Sequence, residues 1–177
     1  MNKLLIFIAF IFATTLLSSA SKYEGSTPDA DDKIHWLTWD EAIALNKENP
    51  KKIFIDVYTE WCGWCKRMDA TTFIDSAVVQ YMNEHFYAVK FDAEMKDNIT
   101  FQNQEFKYVK YGKRGMHTLA YSLLEGKASY PSFVTLTETY ERIAISPGYK
   151  QPEQLIKELK FAAEEKYKVQ DWSDFND

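Results

Sequence analysis

The sequence predicts an α/β domain in which helices flank a central sheet, and three observations predict it. Residues 52–58 are almost continuously apolar, the signature of a strand buried on both faces. Stretches with helical spacing alternate with short β-rich runs along the rest of the chain. The only two cysteines, Cys62 and Cys65, stand where the apolar strand gives way to a helical pattern. The length of 177 residues suits one domain with its own core, and 46% hydrophobic with 16% aromatic residues excludes a disordered chain.

Residues 1–20 differ in character from the rest of the chain. Asn2 and Lys3 precede a run from Leu4 to Leu17 that is nearly all apolar, and Ser18, Ser19 and Ala20 supply the small residues at which a signal peptidase cuts. The run is short for a membrane span. The expectation is a signal peptide cleaved after Ala20, export to a periplasmic or secreted location, and no stable membrane insertion afterwards; an uncleaved anchor is the competing reading. Cleavage removes Lys3 and no acid, taking the net charge from −5 to −6. That mild acidity argues against nucleic acid as the partner.

Residues 21–33 read as a flexible leader, and the ordered domain is expected over 34–168. Thr38 and Glu41 match a capping box, opening a short helix that ends before Pro50. The strand at 52–58 carries one charge, Asp56. Beyond the cysteines, Asp75 or Ser76 reads as an N-cap, followed by the stripe Ala77, Val78, Tyr81 and Met82. Residues 87–92 alternate as a strand. Leu119, Leu123 and Leu124 up to Gly126 read as a helix with a glycine cap, and 132–136 and 141–145 as strands. A last helix is expected over 153–167, with Leu155, Ile156, Leu159, Ala162 and Ala163 on its buried face and Lys157, Glu158, Lys160, Glu164 and Glu165 toward water. Residues 169–177 form an acidic tail, read as loose.

Cys62-Gly63-Trp64-Cys65 at a strand-to-helix junction has a specific chemical meaning. A first cysteine at a helix N-terminus meets unpaired N–H groups and the positive end of the helix dipole, which favour its thiolate. A second cysteine one turn on is placed to attack a mixed disulfide formed by the first. A purely structural disulfide would close too short a loop to constrain the unfolded chain. Structural zinc needs about four ligands, and His35, His85 and His117 are scattered; Lys66 stands where a haem-attachment motif needs His. The pattern implies a redox-active dithiol, with no metal and no organic cofactor.

The stretch Phe54-Ile55-Asp56-Val57-Tyr58-Thr59-Glu60-Trp61-Cys62-Gly63-Trp64-Cys65-Lys66 resembles the active-site strand and helix of the thioredoxin family. The resemblance covers roughly residues 35–168. It implies a thioredoxin-like fold with a central mixed sheet, Cys62 as nucleophile, Cys65 as resolving cysteine, and Asp56 as the buried carboxyl that takes the proton of Cys65. A carboxyl in an apolar setting has the raised pKa such a base needs. By the same resemblance Lys90, on the next strand, pairs with Asp56 and supports proton transfer. Pro131 is the cis-proline that opens an antiparallel strand, with Tyr130 before it contributing backbone to a substrate groove. His117 lies in a superficially similar stretch but is not proline. Trp61 and Trp64 form an apolar rim suited to extended polypeptide.

Residues 94–127 exceed the family's minimal pattern and read as an insertion before the cis-proline strand, with a small hairpin in which 99–101 pairs with 106–109 around 102–105. Lys107, Lys110, Lys113 and Arg114 make it basic, with Tyr108 and Tyr111 interleaved. The function expected is thiol–disulfide exchange on proteins with cysteines or disulfides, as reductase or isomerase, served by an unidentified redox partner. The alternative is a non-catalytic binding or assembly module that uses the basic aromatic insertion.

Overall fold

The computed structural model describes residues 33–175. The expected signal peptide and nearly all of the leader lie outside the described residues. Strand β1 (Trp36–Leu37) and helix α1 (Trp39–Glu48) come first, and Thr38 and Glu41 close the predicted capping box. β2 (Lys52–Tyr58), α2 (Gly63–Ala70), α3 (Ser76–His85) and β3 (Phe86–Asp92) come next. Asp75 caps α3, its side chain accepting from the N–H groups of Ala77 and Val78. The insertion holds β4 (Ile99–Phe101), β5 (Gln104–Phe106), β6 (Tyr108–Tyr111), β7 (Arg114–His117) and α4 (Thr118–Leu123). β8 (Ser132–Leu136), β9 (Arg142–Pro147) and α5 (Pro152–Ala163) complete the chain of elements.

The main sheet has the order β1-β3-β2-β8-β9, with β1, β3 and β2 parallel and β8 and β9 antiparallel. β2 lies at its centre, which is why its side chains are apolar on both faces. Ile53, Ile55 and Val57 point to one side, into a core with Trp39 and Ile43 of α1 and Leu119 and Leu123 of α4. Phe54 points to the other, packing with Met68 of α2, Val78 and Met82 of α3, and Leu155 and Leu159 of α5. Asp56 falls on that second face by alternation. The insertion thus covers part of one face, and the cysteine-bearing helix lies on the other.

Some expectations need correction. The insertion is two hairpins, not one: β4 pairs with β5 around Gln102 and Asn103, both at positive φ, as a tight hairpin turn demands. Tyr108 and Val109 belong instead to the β6–β7 hairpin, turned at Gly112 with φ +58°. The last helix stops at Ala163, because Glu165 adopts a left-handed conformation before a 3-10 turn over Lys166–Lys168. Glu158 does not face water freely: it accepts a hydrogen bond from Ser146 Oγ at 2.7 Å, and burial raises its pKa. The tail is not loose over its described part. Phe175 is buried, and its ring and that of Trp172 both lie 5.3 Å from Phe161.

Candidate active site

The loop after β2 delivers Cys62 to the N-cap of α2. Its Sγ accepts the N–H of Cys65 at 3.0 Å, satisfying one of the donors that a helix start leaves unpaired. Cys62 and Cys65 are joined in a disulfide, with Cα atoms 5.3 Å apart. Neither cysteine is open: Cys62 is 3% exposed and Cys65 2%. The residues beside them are open instead, Trp61 at 50% and Trp64 at 59%. A reaction partner therefore meets two indoles before it meets sulfur.

The two tryptophans have different neighbours. Trp64 tilts against Tyr149 at 5.5 Å, with the Arg67 guanidinium 5.9 Å from its ring centre. Trp61 meets the edge of Tyr130 at 5.8 Å and carries the Arg114 guanidinium 4.0 Å from its ring centre. Tyr130 precedes Pro131 through a cis peptide bond, and Pro131 O accepts the N–H of Gly148 at 2.8 Å. Burial pushes the Tyr130 phenol up to about 12, so it stays protonated at neutral pH.

Asp56 is wholly buried, and its register partner on β3 is Lys90. Lys90 Nζ stands 2.7 Å from Asp56 Oδ2, an ion pair, although neither carboxylate oxygen has a partner in hydrogen-bond geometry. Lys90 is shared: it also contacts Asp69 of α2 and lies 4.9–5.2 Å from the ring centres of Trp36, Tyr58 and Phe73. Burial pushes the Asp56 carboxyl up to about 6, against the pull of Lys90. The desolvation cost of complete burial prevails, and repulsion from the Asp69 carboxylate adds to it. A carboxyl with that pKa can take up and return a proton near neutral pH.

Asp69 went unread in the sequence, and Arg114 was read only as one cation of the basic insertion, not as a neighbour of Trp61. Asp69 lies four residues after Cys65, the spacing that puts both on one side of a helix, so a signal for it existed. Nothing local marks Arg114, whose contact with Trp61 spans more than fifty residues of chain. His117 is a satisfied core histidine: its backbone N–H donates to Ala93 O, Nδ1 accepts from Leu119 N–H and caps α4, and Nε2 meets Asp97 O at 3.1 Å. Among the described residues no cluster of His, Cys, Asp and Glu could hold a metal ion, and no helix is long and apolar enough to cross a membrane.

Comparison with known proteins places the chain. The family described as Thioredox_DsbH, protein of unknown function (DUF255), matches residues 13–168. Uncharacterized protein B0495.5 of Caenorhabditis elegans is 34% identical over 71 residues, covering 40% of this chain and 10% of its own. Spermatogenesis-associated protein 20 of Rattus norvegicus is 28% identical over 88 residues, 49% of this chain and 11% of its own. The matched segments are thus about a tenth of the length of these curated relatives. Among solved structures, a putative disulphide-isomerase from Bacteroides thetaiotaomicron superposes with a TM-score of 0.54 at 26% identity, over 75% of this chain and 95% of that one. A DsbH oxidoreductase superposes with a TM-score of 0.56 at 16% identity, over 80% and 92%. A thioredoxin-fold protein from Helicobacter pylori gives 0.53 at 21%, over 71% and 76%. The chain belongs to the Thioredox_DsbH family, and its thioredoxin fold and Cys-x-x-Cys pair support a thiol–disulfide oxidoreductase kind of protein.

Proposed function

We propose that the protein is an exported oxidoreductase that reduces or isomerises disulfides in other proteins. The observation that carries this reading is the Cys62–Cys65 disulfide at the N-cap of α2, on the sheet face that also holds the buried Asp56–Lys90 pair. In the reduced protein the Cys62 thiolate attacks a substrate disulfide and expels one substrate thiolate, leaving a mixed disulfide. Asp56 takes the proton of Cys65, with Lys90 holding the carboxylate form in place. The Cys65 thiolate then attacks Cys62 Sγ, and the second substrate thiolate leaves. Two electrons pass to the substrate, and the protein ends as the disulfide. A dithiol redox partner returns it to the reduced form; no metal and no organic cofactor takes part.

Trp61, Trp64 and the backbone of Tyr130 beside Pro131 receive the extended segment that bears the reacting cysteine. Export rests on the composition of residues 1–20 and on likeness to the DsbH-like family. The putative disulphide-isomerase among the similar structures favours a protein disulfide as substrate. The test is a Cys65→Ser variant, which keeps the attacking thiol and loses the resolving one. It is expected to accumulate mixed disulfides with exported proteins, seen on non-reducing gels and absent from a Cys62→Ser/Cys65→Ser control. Partners that co-purify with no covalent link would establish the binding module instead.

A further inference from the structure

The insertion and the cysteine loop enclose a cavity of about 740 Å³, lined by Trp61, Val109, Arg114, Met116, Tyr121 and Tyr130 among others. Trp61 is the residue before Cys62 and Tyr130 the residue before Pro131, so the cavity borders the cysteine loop. We propose that it receives a large apolar side chain of an acidic, cysteine-bearing polypeptide segment, while the adjacent cysteine of that segment exchanges at Cys62. This deepens the oxidoreductase reading and rests on it.

Size, lining and charge choose this occupant. The volume lies within the roughly 300–1,000 Å³ of sites that take whole small molecules, so a large side chain fits together with the backbone that carries it. Three aromatic rings, a methionine and a valine supply the wall, which favours apolar surface. Tyr121 is 56% exposed, an apolar body left open at the cavity's edge. The hairpin that forms the outer wall is basic: residues 106–124 hold Lys107, Lys110, Lys113 and Arg114 and no acid, in a chain of net charge −5. Among the lining residues Arg114 is the cation and Glu94 the anion, so attraction for acid lies at Arg114 and the lysines of its hairpin outside the cavity. Acidic residues flanking the apolar anchor would meet those cations. The basic aromatic segment is then one wall of the reaction groove and not a separate binding module.

Four peptide disulfides test it, each two identical peptides joined through one cysteine. The cysteine is followed by Phe or Gly and flanked by Asp or Lys. Reduced protein is mixed with each in single turnover; the protein dithiol becomes the Cys62–Cys65 disulfide as the peptide disulfide becomes two thiols, with no other reductant. The Phe/Asp peptide is expected to react at least about tenfold faster than the Gly/Lys peptide. Arg114→Glu and Tyr121→Ala are expected to bring that ratio toward one, and Arg114→Lys to keep most of it. Because each ratio is taken within one variant, a general loss of activity cancels. Equal rates for all four peptides, or a ratio unchanged in both variants, would overturn the proposal and leave the oxidoreductase reading standing. A faster reaction with glutathione disulfide than with any peptide would overturn it too, assigning the cavity to a small anionic thiol. No exchange with any disulfide would overturn both.

Discussion

Two walls flank the Cys62–Cys65 disulfide, and they are built differently. On one side Trp64 leans on Tyr149 and Arg67, within the α2 helix and the loop after β9. That wall belongs to the thioredoxin-like frame, whose ion-paired groups Asp56, Lys90 and Asp69 sit on the same face of the sheet. On the other side Trp61 is held by Arg114 and Tyr130, and Arg114 comes from a hairpin the frame does not require. That arm is held to the frame by the His117 N–H bond to Ala93 O at 2.7 Å, by the His117 ring against Phe91 at 5.6 Å, and by Met116 packed on the core. The contrast gives the proposed exchange a division of labour: the frame would supply the chemistry, and the arm would shape what can approach it. If so, damage to each wall has its own signature.

The largest effect is expected on the frame. Asp56→Asn removes the base and leaves the shape, so release of the mixed disulfide should slow roughly 10²-fold while the first attack by Cys62 changes little. Rapid-quench kinetics with a Cys65-competent protein separates the two steps. The same variant tests linkage. The folded carboxyl titrates near 6 against an ordinary 3.8, so between those values the folded state keeps a proton that the unfolded chain has released. Stability therefore falls as pH rises from 3.8 to about 6 and is flat above, the whole cost being at most about 3 kcal/mol. Asp56→Asn should lose that slope and gain stability at neutral pH; Lys90 is not stranded, because Asp69 remains beside it. Urea melts across this pH range check it, and a loss of several kcal/mol would make Asp56 a structural partner of Lys90.

How much of this was legible in the sequence divides along the same line. Thr38 with Glu41, the β2 run, Asp75, and the Cys62, Cys65 and Asp56 spacing are all local patterns, and each lies where its pattern placed it. Lys90 came from the family resemblance, and parallel register sets it beside Asp56. The arm was only half legible. Its basic aromatic composition stood out, but the seam between its two hairpins did not. Phe106 closes one hairpin and Tyr108 opens the next with a single residue between, so neither strand shows a full alternation. The contact of Arg114 with Trp61 and the burial of Phe175 against Phe161 depend on where distant elements meet, and no period of the sequence records that.

A middle-sized effect is expected on the arm. At Gly115 a Cβ would overlap the Tyr108 ring and stand 2.5 Å from Val109 O, so the hairpin closes only because that position has no side chain. Gly115→Val should cost roughly 1–3 kcal/mol by overpacking. Amide exchange should quicken over residues 108–117 while β2, β3 and α2 keep their protection and the pH slope of Asp56 survives. Uniform loss of protection would mean that arm and frame unfold as one unit and would break the comparison.

The smallest effect measures the seam between the two walls. Trp61 belongs to the cysteine loop and Arg114 to the arm, and ring and guanidinium meet at 4.0 Å. A double-mutant cycle with Trp61→Leu and Arg114→Leu should return a coupling of about 0.5–1 kcal/mol, the range of a cation–π contact that water still reaches. The same cycle across Trp64 and Arg67 should return less, since that guanidinium is 5.9 Å from the ring centre and both residues lie within one helix. Equal couplings would show that the contact distances do not set the energies. A Trp61–Arg114 coupling near zero would leave the arm docked by Met116, His117 and its backbone contacts, and Arg114 would then be free to serve an incoming acidic segment with no cost to the fold.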